Sequence, residues 1–356
     1  MAYNRKQRLN DNIKAIETAF ILDREQRTPT ARERLLLERY CGFGGLKCIL
    51  NPARELADAV HWAKSDLELF APTVELHRLI RENSKNESEY KQLMDSLKQS
   101  VLTAFYTPSA ITEALADVLK EHQIIPEKVL EPSAGIGAFV DSVLDNNPKA
   151  DIMAFEKDLL TGKILHHLHP EQKVRIEGFE KIEKPFNDYF DLAISNIPFG
   201  DVAVFDPSYT AMKGMRALVT RRIHNYFFVK ALDTVRDGGL VAFITSQGVL
   251  NAKNNSAARF MMLYHADLVS AIRLPNNLFT ENANTEVGSD LIILQKNSQK
   301  ESLRGDDNLL DTVYNDENRI PTNNYFQEHP ERIIHTTAKL DTDPFGKPAM
   351  IYTHED

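Results

Sequence analysis

The sequence predicts an α/β fold: an open sheet of seven mostly parallel strands, with a helical region ahead of it. Three observations carry this expectation. Beyond residue 105, short apolar runs alternate with helical patterns, the arrangement of a parallel sheet wound by helices on both faces. Ahead of that point apolar residues recur at helical spacing. Several apolar runs also end in turns that bear acids, glycine or asparagine, at the sheet edge where such folds bind ligands.

The elements follow in order. Leu9, Ile13, Ile16 and Phe20 form a helical stripe over residues 8–22. Thr30 and Glu33 make a capping box for a helix through Leu35, Leu36 and Leu37. The glycines from Gly42 to Gly45 break it, and no lysine follows at the offset a phosphate loop needs. Helical patterns resume at 54–68, 73–82 and 87–100. Residues 1–95 are read as a helical region and 96–300 as the catalytic domain. Thr107 is placed as the cap of a helix starting at Pro108. Strands are expected at 128–131, 151–155, 173–177, 190–195, 239–245, 268–274 and 289–296, with helices near 137–146, 158–168, 223–236 and 256–264. Residues 301–356 are polar and weakly periodic, and read as an irregular acidic extension.

Composition narrows the function. Of the 356 residues, 42% are hydrophobic and 26% charged, ordinary for a globular protein. No apolar run reaches the ~18 residues of a membrane span, and the first residues form no signal peptide, so a cytoplasmic location with no membrane partner is expected. Cys41 and Cys48 have no third ligand type beside them and read as free thiols. His166, His167 and His169 suit a helix C-terminus rather than a metal site, so no metal is expected. The net charge of −9 sits mainly in the last 56 residues, where 12 acids face 5 bases. Lys213, Arg216, Arg221 and Arg222 form an acid-free stretch that can meet phosphates, or can simply be solvated.

Four consecutive strand ends carry ligand-type residues. The first ends in Glu131-Pro132-Ser133-Ala134-Gly135-Ile136-Gly137-Ala138-Phe139, whose G-x-G lets a ligand approach the backbone, although an ordinary tight turn has the same letters. The second ends in Glu156-Lys157-Asp158. An acid there accepts ribose hydroxyls, or caps the next helix, and Asp158 suits the cap better. The third exits at Glu177-Gly178-Phe179-Glu180, whose ring can pack on a cofactor adenine. The fourth ends in Asn196-Ile197-Pro198-Phe199-Gly200, where Pro198 stops the strand. Asn196 and the Ile197 carbonyl can accept both hydrogens of a weakly nucleophilic exocyclic amine, localising its lone pair. Phe199 can stack on a flipped base.

Phe105-Tyr106-Thr107-Pro108, Glu131 to Phe139, Glu156, and Asn196 to Phe199, in that order, resemble the motifs of S-adenosylmethionine-dependent amino-group DNA methyltransferases of the gamma N6-adenine type. The resemblance covers about residues 100–296 and implies a Rossmann-like class I methyltransferase sheet. It implies that Tyr106 and Thr107 meet the cofactor carboxylate. Glu131, Pro132, Ser133, Gly135, Gly137 and Phe139 would shape the methionine pocket, with Glu156 and Lys157 at the ribose and Phe179 at the adenine. Asn196, Ile197, Pro198 and Phe199 would hold the target adenine, with Asn196 also bordering the cofactor. The flanks, Tyr40 to Leu46 and Asn323 to Pro348, resemble the methylase–helicase proteins of conjugative elements, which implies a helicase or target-recognition partner beside double-stranded DNA. Two positions depart from the family pattern. Ile197 stands where proline is usual, and Gly178 where an acid usually meets the cofactor's adenine amine. Either Glu177 or Glu180 is then the substitute, or cofactor affinity is reduced. Two other readings stand beside this one: a protein-glutamine methyltransferase, which uses a similar Asn-x-Pro-aromatic motif, and a cofactor- or DNA-binding subunit without turnover.

Overall fold

The computed structural model describes residues 4–103, 107–212, 214–280, 286–303, 305–314, 319–343 and 346–355. The N-terminal helices are α1 (Arg5–Glu25), α2 (Ala31–Leu37), α3 (Phe70–Glu82) and α4 (Glu87–Thr103). Short 3₁₀ turns at Leu56–His61 and Lys64–Leu69 stand where a helix is expected. The capping box at Thr30 and Glu33 forms as read from the sequence.

The α/β part then runs α5 (Ser109–Glu121), β1 (Lys128–Glu131), α6 (Ala138–Asn146), β2 (Asp151–Phe155), α7 (Leu159–Leu168), β3 (Lys173–Arg175) and β4 (Phe190–Asn196). It continues with the short helices α8 (Pro207–Thr210) and α9 (Met215–Val219), then α10 (Ile223–Thr234), β5 (Val235–Ser246), α11 (Gly248–Asn251), α12 (Ser256–His265), β6 (Ala266–Leu274) and β7 (Ser289–Lys296). All seven expected strands are present. The cap of α5 shifts by one residue: Pro108 is the N-cap, and Thr107 makes no cap hydrogen bond because the helix starts at Ser109.

The strand order is β3-β2-β1-β4-β5-β7-β6, with β7 antiparallel to both neighbours and the other pairings parallel. The chain winds outward from β1 to β3, then returns to β4 on the other side of β1. Order therefore reverses between β1 and β4, and a crevice opens at their carboxyl ends. This is the Rossmann-like sheet of class I methyltransferases.

The boundary expected at 95/96 falls inside α4, and the helical region packs directly on the α/β part. One apolar cluster contains Leu9, Ile16, Leu76 and Leu97 together with Leu160, Ile164 and Leu168 of α7. Ser96 on α4 donates to Asp158 at 2.6 Å and accepts from the Leu160 N–H at 2.9 Å. The N-terminal helices are the outer layer of α7.

The C-terminal residues are more ordered than their composition suggests. They form the pair β8 (Thr312–Tyr314) and β9 (Pro321–Asn323), the helix α13 (Asn324–Glu328), and the hairpin of β10 (Thr337–Thr342) and β11 (Pro348–Thr353). Fully buried Arg259 donates to the Leu310 carbonyl at 2.8 Å and to those of Val249 and Ala252 at 2.9 Å. Arg273 stacks over Phe326 at 4.3 Å while pairing with Asp290, both ions 2% exposed or less. No described helix is long and apolar enough to cross a membrane.

Removing one partner of a buried pair strands the other charge. Asp290→Ala is expected to cost about 3–5 kcal/mol of unfolding free energy, read from denaturant midpoints. A loss below about 1 kcal/mol, the scale of exposed pairs, would show that Arg273 finds water.

Candidate active site

The crevice begins with the turn after β1. Gly135 and Gly137 both take positive φ, 57° and 95°. At Gly137 space adds to the constraint: a Cβ there would lie 2.4 Å from His169 Nε2, beneath the turn. His169 is buried at the end of α7, and burial pushes its imidazole down to about 4, so it packs as a neutral ring. Gly135 donates its N–H to Glu156 Oε2 at 2.8 Å, and Asp158 N–H donates to Glu156 Oε1 at 2.8 Å. One carboxylate at the end of β2 therefore clasps both loops. Asp158 is the helix cap, accepting from Thr161 N–H at 2.7 Å, which leaves Glu156 facing the glycine turn.

The site is rich in acids held out of water. Burial, then the charge of Asp158, pushes Glu156 up to about 7. Asp141, in the first turn of α6, stands at the exposed rim of this group and is raised as well. Glu131 is 2% exposed, and burial, then Glu156 and Asp141, raises it well above the carboxylate range. Its Oε2 has no hydrogen-bond partner among the described residues. Such an oxygen is costly unless a donor or cation meets it. Among the described residues no three His, Cys, Asp or Glu side chains converge as a metal cage. The cluster suits a small organic cation with hydroxyl and amine donors.

The exit of β4 lies at the same edge. Asn196 is the last strand residue, half-buried and in register with Ile244 of β5. Ile197 N–H still donates to the Ile244 carbonyl at 3.0 Å, a bond that a proline at this position could not make. Pro198 then ends the ladder. Phe199, half-buried, packs its ring edge-on to Phe279 at 6.3 Å. The Ser195 hydroxyl donates to the Ser133 carbonyl at 3.3 Å, tying the β4 exit to the glycine turn.

The remaining expected residues divide. Pro132 is buried, Ser133 and Thr107 are half-buried, and Lys157 is exposed. Tyr106 and Lys213 lie outside the described residues. Phe139 and Phe179 are core side chains, 2% and 1% exposed; Phe179 packs against Phe155 at 5.8 Å and Phe227 at 5.3 Å. The cationic stretch is corrected in part. Arg216 is paired with Asp233 at 2.6 and 2.9 Å, and Arg222 with Asp201 and Asn255 at 2.6 and 2.7 Å. Arg221 remains exposed. The acids that hold Arg216 and Arg222 come from outside the stretch, so local composition does not reveal them.

Gly178 has a structural explanation. A Cβ there would lie 2.1 Å from Glu180 Oε2, so the Glu180 carboxylate fills the space of a side chain at 178. Glu177 is instead paired with Arg175 at 2.5 Å. Glu180 also faces Lys157 at 3.6 Å and lines a cleft of about 340 Å³ with Asp206, Tyr209 and Lys230. Sequence reading placed His169 at the helix C-terminus but missed its position beneath the glycine turn, because burial of a polar side chain leaves no mark on spacing.

The family profile described as N-6 DNA Methylase matches residues 88–351, well over half of the chain. The chain belongs to this N6-adenine DNA methyltransferase family. Among curated relatives, the chain is similar to the "Defense against restriction protein B" of Escherichia phage P1, 29% identical over 201 residues, 55% of this chain and 8% of that protein. It is also similar to the type II methyltransferase M.XamI of Xanthomonas campestris pv. amaranthicola, 25% identical over 173 residues, 45% of this chain and 33% of that one. The chain thus spans a third or less of these relatives. A solved putative class I S-adenosylmethionine-dependent methyltransferase from Listeria monocytogenes aligns over 83% of this chain and 90% of its own, with a TM-score of 0.48 and 16% identity.

The raised acids set a pH dependence. Glu156, ordinarily near 4.5, keeps its proton to about 7 in the folded chain. Between those values the folded state holds a proton that the unfolded state has released. Its contribution to stability is full below pH 4.5 and is lost as pH rises through 7. Without ligand, the chain is expected to lose stability between about pH 5 and pH 8, and Glu156→Gln to flatten that slope. Equal slopes in parent and variant, by denaturant unfolding, would contradict the raised value.

Proposed function

We propose that this chain uses S-adenosylmethionine to methylate the N6 amine of adenine in double-stranded DNA. The observation that carries this reading is the pairing of two features at one sheet edge: the orphaned, acid-walled crevice of Glu131 and Glu156, and the Asn196–Phe199 exit beside it. The cofactor fits that crevice chemically, since it carries an ammonium, a sulfonium and a ribose diol. Bound there, it supplies an electrophilic methyl group.

The chain's own residues do the rest. Glu131 accepts the ammonium, which satisfies its unpartnered oxygen and draws its carboxyl back to the charged form. Glu156 accepts the ribose hydroxyls while still bracing Gly135. Glu180 accepts the exocyclic amine of the cofactor's adenine from the space vacated at position 178. Asn196 Oδ1 and the Ile197 carbonyl accept the two hydrogens of the target amine, and Phe199 stacks on the extruded base. Catalysis is then positioning and fixed dipoles, with in-line displacement and no covalent enzyme intermediate. No cysteine lies near these motifs, in keeping with an amine rather than a ring carbon as acceptor. We assign target choice to a recognition or helicase partner, as the resemblance of the flanks to methylase–helicase proteins implies.

The decisive experiment is transfer of labelled methyl from S-adenosylmethionine to DNA lacking N6-methyladenine, with nucleoside mass spectrometry of the product and a glutamine peptide as competitor. Label in the peptide alone would overturn the DNA reading. Asn196→Ala is expected to lower turnover by about 10²–10³, with cofactor affinity by calorimetry unchanged. Glu180→Ala is expected to weaken cofactor binding by about 1–3 kcal/mol and leave turnover at saturating cofactor close to the parent. Unchanged affinity would release Glu180 from the adenine.

A further inference from the structure

The segment that leaves the Asn196–Phe199 exit is an excursion closed at its neck. Arg222 Nε donates to Asp201 at 2.6 Å, and Val204 N–H donates to the Thr220 carbonyl at 2.8 Å. Just inside the neck, Asp206 is 3% exposed and gripped from several sides. It accepts from the Tyr226 hydroxyl at 2.7 Å, Lys230 Nζ at 3.1 Å, Ser208 N–H at 2.8 Å and the Ser208 hydroxyl at 2.6 Å. Phe205 lies between these two clamps, and it is 77% exposed. Val202, in the same segment, is 60% exposed.

A large ring in water forgoes the stabilisation of burial. A flexible loop would tuck such a ring away, and this backbone cannot. Phe205 is held out, ready for a flat apolar surface that arrives with a partner. Position says which partner. Asp201 is two residues beyond Phe199, so the head of the excursion borders whatever occupies the Asn196–Phe199 exit. Two exposed cations stand at the neck, Arg221 and Lys253; Arg222, paired with Asp201, reaches the Asn254 carbonyl beside Lys253 at 3.5 Å. Phosphates approach such a neck.

We propose that Phe205 is a wedge that enters the base stack of duplex DNA when the target adenine is drawn out. This rests on the DNA-methylating function proposed above. Extruding a base breaks its stacking and leaves a flat, apolar gap in the duplex. An aromatic side chain fills that gap, as apolar wedges do at unstacked steps. Phe199 and Phe205 then have complementary tasks: one receives the base, the other takes its place.

The test uses the full chain and two duplexes carrying a methylation site mapped on plasmid DNA. One has thymine opposite the target adenine, the other an abasic position. Phe205→Ala is expected to reduce transfer to the paired duplex about tenfold or more, and to recover most of that loss on the abasic duplex. In parallel, 2-aminopurine at the target position should brighten on binding the parent and stay dim with the variant. Cofactor binding by calorimetry serves as the fold control, since the ring is exposed. Equal losses on both duplexes, or no loss, would overturn the wedge while leaving the proposed function standing. A change of oligomeric state in Phe205→Ala, with the duplex ratio unchanged, would assign the ring to a protein contact and also overturn it. A parent that binds cofactor but leaves plasmid DNA unmethylated, so that no site can be mapped, would overturn the proposed function, and the wedge with it.

Discussion

The structure depends on one carboxylate. Glu156 receives the N–H of Gly135 from the turn after β1 and that of Asp158 from the turn after β2. Those turns border the crevice where strand order reverses, and no other described side chain holds both. The clasp sets the path of the glycine turn, and through Ser133 and Ser195 it reaches the exit of β4. Its cost is visible in the acids around it. Glu131, Glu156 and Asp158 are all raised, each mainly by burial. A site assembled against its own electrostatics is relieved by a cation, which is the thermodynamic meaning of displaced pKa values in a cleft.

The N-terminal helices matter to the crevice through α7. That helix offers Asp158 at its start and His169 at its end, and both touch the floor of the site. Ser96 fixes the start. Arg34 fixes the end by donating to the Leu168 carbonyl at 2.6 Å, and Tyr40 lies 3.3 Å from Thr161 between them. His167 and Lys163 both reach Asp23 of α1. The helical layer is thus a brace for one element of the methyltransferase sheet, and an error in packing α1 or α4 would be felt beneath Gly137.

Much of this was legible in the sequence, and the exceptions share a cause. Strands such as Asp151–Phe155 and Ser289–Lys296 announce themselves as apolar runs bounded by polar residues, because a strand buried on both faces has no polar side to show. The four strand-end motifs were legible because turns demand particular residues. What failed to show was pairing at long range. The Arg216 and Arg222 cations look free in a window of local sequence, yet their acids lie 17 and 21 residues away. The polar C-terminal stretch reads as irregular, yet Arg259 and Asn323 satisfy its carbonyls from within the core. The role of Gly178 was half legible: the missing acid was plain, but only the fold shows that Glu180 stands over the vacant position.

The substitution at position 197 bears on how the exit works. A proline there would remove an N–H and end the ladder at Asn196. Isoleucine extends it, so the β4–β5 pairing continues to the residue whose carbonyl we propose for the target amine. The side chain of Ile197 is buried in the same cluster as Phe228 and Val249, which fixes the peptide from its other side. Proline stiffens such a turn covalently, by locking φ. This chain reaches a comparable stiffness with one hydrogen bond and one buried side chain. The proposed chemistry uses only the carbonyl of this residue, so either device serves. The same logic extends along the motif: Pro198 halts the ladder one residue later, and Phe199 is steadied by Phe279. Between the strand that ends and the excursion that begins, the chain keeps its dipoles still at the place where a reacting nitrogen would need them.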